Sequence, residues 1–282
     1  MSIIKVANIQ MKVSSIKEEN LSTVEKYLEK MKEESIDLLV LPEMFNCPYQ
    51  TKNFPLYAEE EGDKSWEACS ELAKKYSIYI VAGSMPEKDK SGNVYNTSYV
   101  FDREGNQIAK HRKAHLFDID VEGGQSFKES DTLTPGDDIT VFETEFGLMG
   151  LCVCYDFRFP ELSRLMVERG AKVIIVPGAF NMTTGPAHWE ILFRTRALDN
   201  QVYTIGTAPA RDAKSAYTSW GHSLVVGPWG DIINEMDEQE GYIVSEIDLD
   251  RVLKVRRELP LLEHRRLDMY ELWDRGTGEL SQ

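Results

Sequence analysis

Hydrophobic and polar residues alternate along IIKVANIQ (3–10), the period of a half-buried β-strand. Leu21, Val24, Leu28 and Met31 then recur at the spacing of one helix face, behind a Ser15/Glu18 pair spaced as a capping box. Residues 36–41 predict a second strand, stopped by Pro42, with Glu43 immediately beyond. Residues 66–76 predict a helix and 78–83 a strand, while 94–101 and 107–110 predict a hairpin across DREGN (102–106). A second apolar run at 148–153 leads into Cys154. Pro160 beyond it suits the first turn of a helix, and Gly170 suits the helix end, where φ > 0 is wanted.

The same order of elements occurs twice. IDLLVLPEMFN (36–46) matches AKVIIVPGAFN (171–181) in strand, proline and closing Phe-Asn, and SYVFDREGN (98–106) has a counterpart in SLVVGPWGD (223–231). Between them, 66–82 parallels 189–207, each a helix running into a buried strand, and 150–155 takes the place of the first strand. The chain is a degenerate internal duplication. Each half offers strands with helices able to cover one face. Two such sheets stacked face to face, with helices outside, bury every apolar face in a four-layer α-β-β-α sandwich of the α+β class. No linker or low-complexity tract interrupts residues 1–282, so one domain is expected.

Composition narrows the function. No apolar run approaches the ~20 residues of a membrane helix, and the first ten residues carry no basic leader or cleavage site. Four cysteines in 282 residues suggest free thiols and a cytoplasmic setting rather than a disulfide framework. A net charge of −15 supplies no basic face for nucleic acid. His111 and His115 are four apart and Cys152 and Cys154 flank Val153, but no CxxC pair or HExxH occurs, so no metal is expected. The glycines at 123–124 and 227–230 form no phosphate loop, and no cofactor is expected.

Cys154 sits at a strand-to-loop break, where a side chain points out of a sheet end and the following amides are free to face an oxyanion. Alone, a cysteine there is most simply a small buried residue. The density of charge in YDFRFPE (155–161) asks for more. Together with Gly150 and Gly170, this segment resembles the signature of the nitrilase superfamily of carbon–nitrogen hydrolases, whose fold is the α-β-β-α sandwich and whose nucleophile is the cysteine before Tyr-Asp. The resemblance runs from Val6 to about Tyr270. It implies Glu43 in LPEMF as general base, Lys113 in HRKAHLFD as the triad lysine, and Glu129 in SFKES as a further acid that positions substrate or lysine. Each has a chemical reason. A thiol is mostly protonated at neutral pH and needs a base. A tetrahedral oxyanion needs donors, here Lys113 and the Tyr155 N–H. An interaction module without chemistry is disfavoured, because no triad position is substituted.

The segments 41–49, 111–120, 177–190 and 210–223 are similar to the omega-amidase branch, which deaminates α-ketoglutaramate and α-ketosuccinamate. TGPAHWE and CYDxRFPEL are shared with deaminated-glutathione amidases, and N-carbamoyl or nitrile hydrolysis is the same-fold alternative. A small amide carrying a free carboxylate needs a cation. Arg158 can supply a bidentate fork, with Tyr49 and Thr184 as hydroxyl donors and Phe180 as an apolar wall. The apolar residues of the tail at about 260–282 suggest a subunit contact, and the resemblance implies a homodimer.

Overall fold

The structure is a computed structural model that describes residues 3–275 and 279–280. In the first sheet, Ile3–Gln10 pairs antiparallel with Gly241–Asp248 and parallel with Leu38–Val40. Leu38–Val40 pairs parallel with Tyr79–Val81. One edge of Val94–Phe101 carries Tyr79–Val81 and Met85–Lys88 in succession; the other carries Gln107–Arg112, all antiparallel. The second sheet runs Thr140–Thr144, Gly147–Leu151, Val173–Pro177, Tyr203–Thr207, Leu224–Val226, Ile232–Glu235. Its pairings are antiparallel, parallel, parallel, antiparallel and antiparallel. The first sheet reads the same from Gly241–Asp248 to Gln107–Arg112. The sequence repeat is therefore a repeat of topology.

Strand alternation sorts the side chains into layers. Val6, Leu38, Val40 and Val81 of the first sheet meet Met149, Leu151, Val173, Ile175 and Ile205 of the second in one buried layer. The intervening residues face outward. Leu39, Leu41 and Ile80 pack under Val24, Leu28 and Leu72 of the helices Lys17–Lys30 and Lys64–Tyr76. Ile174 and Val176 pack under Met166, Trp189 and Phe193 of Pro160–Glu168 and Gly185–Asn200. This is the four-layer α-β-β-α sandwich.

The first helix starts differently from the capping-box expectation. Ile16 holds the N-cap position with no side-chain cap. Instead the Ser14 hydroxyl accepts from the Ile16 N–H and donates to Glu19 Oε2 at 2.6 Å, and the buried Asn20 exchanges two hydrogen bonds with the Ser14 backbone. A buried amide with both ends satisfied outcompetes an exposed cap at Ser15. In the C-terminal tail, Leu261, Met269, Tyr270 and Trp273 are exposed; residues 276–278 and 281–282 of it lie outside the described residues.

Gly83 joins Tyr79–Val81 to Met85–Lys88 with φ +40, and a Cβ there would fall inside van der Waals contact with the Pro42 carbonyl oxygen, directly before Glu43. Gly92 has φ +88 and open space around it. Both positions resist a side chain through φ, but only Gly83 resists it through crowding. Gly83→Ala is expected to cost about 1–3 kcal/mol more than Gly92→Ala in urea unfolding. Equal costs would show that the close approach to Pro42 relaxes freely.

Candidate active site

Three parallel strands end at one place, the usual site of chemistry on open α/β sheets. Beyond Leu38–Val40 stands Glu43, beyond Gly147–Leu151 Cys154, and beyond Val173–Pro177 Ala179. Lys113 follows Gln107–Arg112, and Glu129 follows the small hairpin of Asp118–Asp120 and Ser126–Lys128. Glu43, Lys113 and Glu129 are fully buried. Lys113 Nζ lies 3.0 Å from Glu43 Oε1 and 2.9 Å from Glu129 Oε2.

Neutral donors complete the two carboxylates. Asn96 Nδ2 donates to Glu43 Oε1 at 2.9 Å and the Ala179 N–H to Glu43 Oε2 at 2.8 Å. The Phe117 N–H donates to Glu129 Oε2 at 2.7 Å, and the Tyr49 hydroxyl to Glu129 Oε1 at 2.7 Å. Burial opposes the charge on Lys113, but Glu129 and Glu43 outweigh it and hold its pKa above that of an ordinary lysine. Glu43 moves up, because burial outweighs the stabilising lysine and Glu129 adds repulsion.

Cys154 is buried, beside Glu43 and the Ala179 amide, with φ +50. A left-handed backbone at a non-glycine residue is a strained position of the kind that clusters at functional sites. Burial pushes its thiol well above the usual range, and the Glu43 carboxylate adds to this against the pull of Lys113. Tyr155 follows in the first turn of the 3-10 segment Cys154–Arg158, where amides lack a partner within the segment.

The predicted binding residues divide. Arg158 lies with its guanidinium 4.6 Å from the Phe180 ring centre and 5.6 Å from that of Tyr155. Its Nη1 meets His188 Nδ1 at 3.1 Å and its Nε has no hydrogen-bond partner. Among the described residues no carboxylate forms an ion pair with it, and burial lowers its pKa. The hydroxyls of Tyr49 and Thr184 are engaged within the protein, the first on Glu129 and the second on Asn181 Oδ1 at 3.1 Å. Each has one proton to donate, so neither is free to donate to a ligand without giving up its partner.

Three features escaped the sequence reading. Asn96 sits mid-strand in Val94–Phe101, where alternation gives no hint of chemistry. Tyr217 comes from a polar loop; its hydroxyl donates to the Ala179 carbonyl and its ring lies 4.4 Å from that of Tyr49. With Phe127, Met182 and Thr183, these two tyrosines line an outer cleft of about 640 Å³. Asp156 joins the elbow to the lysine loop. It accepts from the Val153, Ala114 and His115 amides at 3.1, 3.1 and 2.8 Å, and from His115 Nδ1 and His111 Nε2 at 2.8 and 3.0 Å. The two histidines are thus placed by a carboxylate. Among the described residues no group of three His, Cys, Asp or Glu side chains is set to hold a metal.

This architecture brings an acid, a lysine and a cysteine together at the ends of parallel strands. The chain belongs to the carbon-nitrogen hydrolase family, whose sequence profile matches residues 5–257. It is 45% identical over 270 residues to the human protein named omega-amidase NIT2, covering 96% of this chain and 98% of that one. The bovine omega-amidase NIT2 is 46% identical over 272 residues, with the same coverage. Among solved structures, Saccharomyces cerevisiae Nit3, a member of branch 10 of the nitrilase superfamily, superposes with a TM-score of 0.87 at 42% identity, over 94% of this chain and 97% of that one. The C. elegans NitFhit protein gives 0.87 at 33% identity, over 96% and 67%.

Asp156 generates a test of the scaffold. Burial opposes its ionisation, but the histidine and amide donors prevail and hold its pKa well below the usual carboxylate range. A folded pKa below the unfolded ~3.9 means that the stabilisation is complete above that pH and is lost progressively below it, as pH falls through the lower folded value. Asp156→Asn is expected to lose about 3–5 kcal/mol at neutral pH, with a correspondingly shallower further loss on acidification. Urea unfolding at neutral and acid pH measures both; identical pH dependence in the two proteins would contradict the assignment.

Proposed function

We propose that this enzyme is an omega-amidase, hydrolysing the terminal amide of short omega-amido acids such as α-ketoglutaramate and α-ketosuccinamate and releasing ammonia through a thioester on Cys154. One observation carries the reading: a fully buried Glu43 is paired with Lys113 at 3.0 Å and stands against the thiol of Cys154. The relatives named omega-amidase, matched over nearly the whole of both chains, point the same way.

In this reading Sγ attacks the amide carbon while its proton passes to Glu43. The carbonyl oxygen takes the negative charge. Lys113 has three N–H donors, of which Glu43 and Glu129 occupy two; the third faces the oxyanion together with the Tyr155 N–H. Glu43 then protonates the departing nitrogen, ammonia leaves, and the C–N bond is replaced by C–S. In the second half-reaction water gives a proton to Glu43 as its oxygen bonds to the acyl carbon. The sulfur departs and recovers that proton.

Specificity rests on Arg158, a half-buried cation without an acid partner among the described residues, stacked over Phe180. It receives the distal carboxylate of the substrate. Tyr49 and Thr184 act indirectly, by fixing Glu129 and the turn at Asn181. The enzyme works as a single domain without a cofactor. The exposed apolar residues Ile191, Leu198 and Trp229, with Met269 and Tyr270 of the tail, support a homodimer. The four free buried thiols fit the cytoplasm.

Cys154→Ala is expected to abolish ammonia release from succinamate while leaving thermal unfolding nearly unchanged; full activity in this variant would overturn the nucleophile. A charge-assisted hydrogen bond contributes about 1.5–3 kcal/mol. Arg158→Met should therefore lower kcat/KM for succinamate by roughly 10- to 150-fold and leave an uncharged amide of similar length nearly untouched. Equal losses on both substrates would move the anion site elsewhere.

A further inference from the structure

Two separate spaces approach the candidate centre. The outer cleft is one. The other is a narrow cavity of about 30 Å³ that reaches Glu43 itself, lined also by Cys47, Ala179, Ala210 and Ser219 and running to Ser215 on the protein surface. Tyr49 and Tyr217 line both spaces, with their ring centres 4.4 Å apart. A water occupies ~10–15 Å³ by this kind of measure, so the cavity has room for at least one.

Its lining asks for one. Ser219 is 4% exposed, yet its hydroxyl has no hydrogen-bond partner among the described residues. Buried hydroxyls are normally satisfied by protein or by ordered water. Glu43 brings a carboxylate to the same cavity, so a water there has both a donor and a strong acceptor within its walls.

The two-step chemistry gives this place a use. Once the acyl group is on Cys154, its chain extends toward Arg158 and Phe180, and the outer approach is crowded by Tyr49, Phe127 and Tyr217. Water must still reach the thioester carbon within hydrogen-bond reach of Glu43. We propose that the cavity between Glu43 and Ser219 is a dedicated water site and passage, supplying the hydrolytic water of deacylation by a route separate from the substrate's. The water held there gives one proton to Glu43 as its oxygen bonds to the acyl carbon; the C–S bond breaks, and the proton returns to sulfur.

This inference rests on Cys154 as nucleophile and Glu43 as base, and the experiment keeps the two questions apart. Rapid-quench ammonia release from succinamate is followed in wild type, Ser219→Val and Ala210→Val, with the mass of the quenched enzyme mapped to its peptides. Both variants fill the cavity without touching the residues assigned to acylation. An ammonia burst at the wild-type acylation rate certifies a folded, competent site in each. The expected result is that burst, followed by steady-state turnover about tenfold slower than wild type, with an acyl adduct accumulating on Cys154. Unchanged turnover, or acylation and turnover slowed by the same factor in both variants, would overturn the water site while leaving the nucleophile in place. Absence of any adduct on Cys154 in all three proteins, with turnover intact, would overturn both readings.

Discussion

Three charges buried together, Glu43, Lys113 and Glu129, set the terms for the rest of this site. Each comes from a different segment of the first half of the chain, and each is fully buried. Removing one partner from such a group leaves an uncompensated charge, at about 3–5 kcal/mol. The surrounding structure accordingly supplies donors to every carboxylate oxygen: Asn96, Tyr49 and the amides of Phe117 and Ala179. With both carboxylates ionised and the lysine protonated, the cluster would carry a net charge of one minus, and a thiolate beside it would make two. That electrostatic limit opposes a thiolate at Cys154, and in the proposed chemistry Glu43 takes the proton only as the bond to carbon forms.

The duplicated fold makes this meeting possible. Glu43 closes a parallel strand of one half, and Ala179, whose amide binds it, follows the equivalent strand of the other. The elbow of Cys154 belongs to the second sheet, while the lysine loop leaves the first. Asp156 ties them with four hydrogen bonds across that boundary, from Ala114, His115 and His111. The inter-sheet layer of valines, leucines and isoleucines therefore does more than stabilise the domain: it fixes the distance between Glu43 and the sulfur.

Much of this was legible in the sequence, for particular reasons. Short apolar runs ending in proline or cysteine mark buried strands and their ends, and the repeated Pro-x-x-Phe-Asn marks the duplication. Glu43, Lys113, Glu129 and Cys154 stand in short, dense motifs, and the structure gathers them. Single-residue contacts across long sequence separations were not legible. Asn96 is one polar residue in a strand, and Tyr217 one aromatic in a polar loop. The engagement of the Tyr49 and Thr184 hydroxyls depends on partners 80 and 3 residues away whose geometry no spacing rule gives. The Ser15 cap failed for a similar reason, because a buried Asn20 captured the turn first.

The claim that a net-negative buried cluster keeps the nucleophile protonated, with Glu43 as its base, is tested most directly by ultraviolet thiolate absorbance. The difference spectrum between wild type and Cys154→Ala isolates this one sulfur. The account predicts no thiolate band at neutral pH, with the band emerging only in strong alkali. A full thiolate band at neutral pH would contradict it, showing that Lys113 holds a preformed ion pair with Cys154 and that Glu43 is not needed to take the proton.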